Sequence, residues 1–91
     1  MELVIEVPTM AGSMEELRPR LDSAFLAEFP GGMLQRTWNG DVLELSGPGA
    51  RGAVTLEGTR LVGRATLGPP ANLMRGLIEQ KVGAALRQAA G

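Results

Sequence analysis

The one segment of this chain whose spacing imitates a chemical site is Gly47-Pro48-Gly49-Ala50-Arg51-Gly52-Ala53-Val54, a literal G-x-G-x-x-G-x-V. Glycine loops of this kind hold phosphates because bare backbone amides can approach the oxygens closely. The dinucleotide version must open a helix after a strand, whereas here a strand pattern follows. The kinase version needs a lysine on the next strand and Asp-bearing motifs beyond it. The sole lysine is Lys81, far down the chain. The segment therefore reads as a glycine-rich connection between two strands.

The remaining candidates are carboxylates, hydroxyls, arginines and one indole. Glu15 and Glu16 are adjacent, so on a helix they diverge, and their position suits a helix N-terminus electrostatically. Glu44 and Glu57 fall on a predicted outer sheet face. Ser13, Ser23 and Ser46 have no histidine to activate them, because the chain contains no histidine, cysteine or tyrosine. This composition removes the commonest general base, the commonest transition-metal ligand, thiolate sites and disulfides together. A metal would have to rest on several converging carboxylate or carbonyl oxygens, which the spacing does not predict. No catalytic, cofactor-binding or metal-binding residue is assigned. Arg51, Arg60 and Arg64 read as solvated or paired with Glu44 and Glu57. Trp38, the only tryptophan, reads as a packing residue or as the rim of a ligand pocket.

The elements that must position these residues follow from period and punctuation. Leu3, Ile5 and Val7 alternate as in a half-buried strand that Pro8 ends. Ser13-Met14-Glu15-Glu16 has the form of a capping box. It predicts a helix with Met14, Leu17, Leu21, Phe25 and Phe29 along one face. Pro19 sits awkwardly inside that helix, and Pro30-Gly31-Gly32 ends it. Strands over Met33 to Trp38 and Asp41 to Ser46 are joined by a turn at Asn39-Gly40, with Leu34, Trp38, Leu43 and Leu45 on the core side and Arg36 as the misfit. A second turn at Glu57-Gly58 pairs Val54 with Leu61 and puts Val54, Leu56, Leu61, Ala65 and Leu67 together. After Gly68-Pro69-Pro70, Asn72 is the expected N-cap of a last helix. The stripe Met74, Ile78, Val82 and Leu86, widened by Leu73, Leu77 and Ala85, is expected to complete the core rather than face an external apolar surface. Gly76 and Gly83, seven apart, are expected to admit another backbone. The fold class is α+β, a single domain over 1–91 in the order β-α-β-β-β-β-α, with an antiparallel sheet covered on one face by two helices.

At this point the chain resembles the polyhydroxyalkanoic acid system proteins, a family of small bacterial proteins. The resemblance rests on Trp38-Asn39-Gly40-Asp41-Val42-Leu43-Glu44-Leu45-Ser46-Gly47, on Gly52-Ala53-Val54-Thr55-Leu56 through to Leu67, and on the terminal helix Leu73 to Leu86. It implies an association with storage-granule synthesis and use, and it carries over no catalytic residue. Pro48 in the glycine loop, Pro19 in the first helix and the lack of His or Lys near the N-terminus depart from the family pattern.

A net charge of −1 and a pI near 5.3 argue against a nucleic-acid partner. The start Met1-Glu2-Leu3-Val4-Ile5-Glu6 is unlike a signal peptide, and no stretch reaches the ~20 apolar residues of a membrane span. The expected location is the cytoplasm. The leading functional expectation is a non-enzymatic accessory or protein-interaction domain, with a granule-associated protein or the polymer surface as partner and no cofactor. The alternative is a carrier of a small apolar lipid or acyl ligand, held between sheet and helices. A carboxylate-only enzyme is third. Val4, Val42 and Val62, on the sheet face opposite the core, form a candidate homodimer interface.

Overall fold

A computed structural model describes residues 1–32 and 34–91 of the chain. Met33, placed by the sequence at the start of the second strand, lies outside the described residues. The elements are β1 (Glu2–Pro8), α1 (Met14–Glu28), β2 (Gln35–Asn39), β3 (Val42–Gly47), β4 (Ala50–Glu57), β5 (Arg60–Leu67), a short 3-10 turn (Ala71–Met74) and α2 (Arg75–Ala90). The strands form one antiparallel sheet in the order β1-β5-β4-β3-β2. The expected fold class and element order are therefore observed.

Alternation decides which side of each strand is covered. Leu3 and Val7 of β1, Leu43 of β3, Val54 of β4, and Leu61 and Leu67 of β5 are buried. Helix α1 adds Met14, Leu17, Leu21, Ala24 and Phe25, and α2 adds Ala85, Leu86 and Ala89. α1 starts as the capping box requires: Ser13 Oγ accepts from the Glu16 amide, and Glu16 Oε2 accepts from the Gly12 amide. Pro19 lies in the second turn of α1 on an exposed face, and the helix continues through it to Glu28.

The two helices run antiparallel, and two contacts fix them. Thr9 Oγ1 donates to the last-turn carbonyl of Ala90 and accepts from the Ala11 amide. At the other end Lys81 Nζ donates to the Glu28 carbonyl at 3.0 Å, neutralising the C-terminus of α1. α2 comes close to the sheet at Gly63. A Cβ there would lie 3.1 Å from Leu86 Cδ1, so the missing side chain lets Leu86 reach the strand.

Three expectations change. Both hairpin turns shift by one residue, to Gly40-Asp41 and Gly58-Thr59, giving Trp38 opposite Leu43 and Leu56 opposite Leu61. Glycine with φ of +61° and +62° stands first in each loop, with no positive φ after it, as in a type II′ turn. The turns expected at Asn39-Gly40 and Glu57-Gly58 place glycine second. The pairing moves by two residues, so every side chain keeps its face. Second, Asn72 does not cap α2. The helix starts after a 3-10 turn, and Asn72 Oδ1 is buried without a hydrogen-bond partner among the described residues. Third, neither Gly76 nor Gly83 shows a close backbone approach: a Cβ on Gly76 would meet nothing within 4 Å, and the three atoms nearest to one on Gly83 all belong to the Arg87 side chain.

Candidate functional site

The sequence expects the apolar stripe of α2 to complete the core along its whole length, and only its second half does. α1 ends at the level of Lys81, whose ammonium bonds Glu28 O and lies 5.8 Å from the Phe29 ring centroid. Leu77 is one turn nearer the start of α2, ~6 Å beyond that contact at the helical rise. Met74 and Leu73 lie further out still. They overhang the end of α1 and are left exposed among the described residues. Leu73 is 85% exposed, Met74 52% and Leu77 44%.

Beneath this overhang is an open groove of about 350 Å³. One wall is the end of α1, with Phe29 and Pro30. The opposite wall is Met74, Leu77 and Ile78, and the β3–β4 turn contributes Pro48 and Ala50. Leu34 also lines it. Lys81 and Glu28 are the only ionisable residues on its lining among the described residues. Such a site can take up apolar surface.

The glycine loop that imitates a phosphate site forms part of the rim. Pro48-Gly49 is the β3–β4 turn, and β4 follows it. Gly49 has φ +74°, and a Cβ on it would lie 2.6 Å from the Pro69 carbonyl. Its glycine is needed for close packing on the segment leading to α2.

Trp38 lies outside the groove. It faces the core side of β2 at the rim, where its Nε1 donates to Asp22 Oδ1 at 3.0 Å. The Arg18 guanidinium stacks 4.8 Å from its ring centroid. Asp22 also lies 3.8 Å from Arg36, the misfit on the core face, which explains how that cation is accommodated. The indole is thus engaged by α1 on its polar edge and on one face.

The three valines do lie on the outer face, but they form no stripe. Val42 and Val62 share a row separated by Thr55, and Val4 stands one row away on the edge strand β1. Val4 is 57% exposed and Val42 half-buried, whereas Val62 is 2% exposed. Arg64 pairs with Glu57, which faces Arg60, so this ion pair spans Val62 from one side to the other. Arg60 pairs with Glu6 beside it at 3.5 Å. Val62 is therefore roofed by charged side chains and cannot be a contact residue, which corrects that part of the expectation. The Glu57 carboxyl is lowered to about 2, first by the hydrogen bonds from Arg64 and then by that from Thr55. Of the expected pairings, Arg64–Glu57 forms, whereas Arg60 chooses Glu6 and Glu44 accepts from Asn39.

Among the described residues no three carboxylates gather as a metal site would require, and no helix is long and apolar enough to cross a membrane. No curated protein and no solved structure matches the chain. A family does, over residues 5–89, and these are nearly all the residues that build the sheet, the two helices and the groove between them. The chain belongs to the family described as "Putative polyhydroxyalkanoic acid system protein".

Proposed function

We propose that this domain is a non-enzymatic accessory protein of polyhydroxyalkanoate metabolism that docks on the apolar surface of the storage polymer. The observation that carries the reading is the overhang: three large apolar side chains stay in water beside a groove lined almost wholly by apolar groups. A 91-residue domain has little apolar surface to spare from its own core, so a cluster left uncovered at one end points to an external apolar surface. The family's description supports a polyhydroxyalkanoate, an aliphatic polyester, as that surface, and the reading places the domain beside it in the cytoplasm. Purified protein should co-sediment with polyhydroxyalkanoate granules well above an unrelated small acidic protein. Equal, background-level sedimentation of the two would overturn the reading.

A second reading, carriage of a single acyl chain, is favoured by the concavity of the groove, whose volume is at the small end of ligand sites. Protein isolated from its own host should then retain a lipid-like mass in native mass spectrometry. A clean apo mass, with no thermal stabilisation by fatty acyl ligands, would exclude it.

A further inference from the structure

The two edges of the sheet differ in what they offer another strand. On β1, Met1 and Leu67 exchange both backbone bonds, and Thr9 N donates to Thr59 O. The outward-pointing backbone groups of β1 therefore belong to Glu2, Val4, Glu6 and Pro8. Pairing β1 with its own copy about Val4 would set Glu2 against the partner's Glu6, and Pro8 has no N–H to give. Charges and proline are standard guards of an edge strand. The β2 edge has neither on its exposed face, which carries Gln35, Thr37 and Asn39.

The two-residue turn makes Asn39 and Val42 the closing hydrogen-bonded pair. Gln35, Thr37 and Asn39 therefore bond inward to β3, and the N–H and C=O of Arg36 and Trp38 point away from the sheet. No other element bonds these groups among the described residues. One register lets two copies of this strand satisfy them all, an antiparallel pairing about Thr37. Arg36 then opposes the partner's Trp38, and the mirror pair does the same, each exchanging two bonds. On the exposed face Gln35 meets the partner's Asn39, and Thr37 meets the partner's Thr37, so no charges oppose there. On the helix side each Arg36 stands beside an indole, a favourable cation–aromatic neighbour.

The flank of α1 above β2 supports the same occupant. Arg18 and Asp22 both contact Trp38, and Leu26 continues their i, i+4 line. Leu26 is 57% exposed, although the same side of the helix is already committed to β2. A two-fold axis through Thr37 would bring the two Leu26 flanks toward each other.

We infer that this protein forms a two-fold homodimer through β2, joining two sheets into one continuous sheet. The inference is independent of the polymer-docking reading, since none of Gln35 to Asn39 lines the groove. Thr37 provides a register-specific test because the chain has no cysteine of its own. In the dimer the two Thr37 residues form a non-hydrogen-bonded pair, close enough for a disulfide. Two copies of Gln35 would lie about 13 Å apart along the strand. Under mild oxidation Thr37→Cys should cross-link to near completion, and Gln35→Cys should stay monomeric. Thr37→Lys and Thr37→Glu should each weaken the dimer at least tenfold, and an equimolar mixture should restore it as a heterodimer, which also shows that both variants fold. A wild-type monomer in sedimentation equilibrium at millimolar concentration would overturn the inference. So would equal cross-linking of the two cysteine variants, or a dimer abolished by Val42→Glu but not by Thr37→Lys.

Discussion

The two halves of α2 carry the same apolar pattern and meet opposite fates. Toward its C-terminus, Ala85, Leu86 and Ala89 are buried, and Leu86 reaches the strand through the space left at Gly63. Toward its N-terminus, Leu77 stands in water, as do Leu73 and Met74 in the 3-10 turn that leads into it. The periodicity of α2 does not distinguish these halves. The length of α1 does, because a helix can bury only the part of its neighbour that it runs beside. The uncovered half is thus a product of two element lengths, and it is the part of the molecule to which the proposed polymer docking is assigned.

This contrast can be broken in a graded way. The largest effect is expected from Leu86→Ala, which removes a fully buried side chain and should cost between about 2 and 5 kcal/mol in urea unfolding. Asp22→Ala comes next. It takes the acceptor from Trp38 Nε1 and a partner from Arg36, and a loss of about 1 kcal/mol is expected, accompanied by a change in tryptophan fluorescence. At the exposed half, Leu73→Ser should move stability by no more than about 0.5 kcal/mol. A loss as large as that of Leu86→Ala would mean that the overhang belongs to the core after all.

The smallest effect concerns the outer face. Glu57 is held at about 2, below its ordinary 4.5, by Arg64 and then Thr55. A carboxylate depressed on folding contributes its stability above the unfolded value and loses it as pH falls through the folded one. The contribution is therefore present above about 4.5 and fades toward about 2. Because this pair is solvent-exposed, its share of stability is small. The carboxyl carbon of Glu57 should titrate near 2 by NMR and move up toward 4.5 in Arg64→Gln.

Much of the architecture was legible in the sequence because it depends on local signals. The capping box at Ser13, the alternation of β1 and the glycine turns each place an element without reference to the others. Turn shifts of one residue escaped because a Gly in a tight loop can stand first or second, and the pattern of faces is the same either way. The open groove was not legible. Leu73, Met74 and Leu77 look like core on a helical wheel, and only the end of α1 relative to Lys81 shows that they lie beyond cover. Val62 differs for a related reason. Alternation gives its face, but the Arg64–Glu57 pair that reaches across it is a diagonal contact that alternation does not encode. Trp38 was readable as a rim residue, whereas its capture by Arg18 and Asp22 required the helix to be placed.

The overhang as a docking surface is tested most directly by a binding isotherm on polyhydroxyalkanoate particles. Three proteins suffice: the wild type, the double variant Leu73→Glu/Leu77→Glu, and Met10→Glu, which alters a fully exposed methionine outside the groove lining. Burying two leucines on a polymer surface is worth up to a few kcal/mol, so the double variant should bind at least about tenfold more weakly. Met10→Glu should bind like the wild type. Equal affinity of all three proteins, or an equal loss in both variants, would contradict the assignment of the α2 overhang as the surface that meets the polymer.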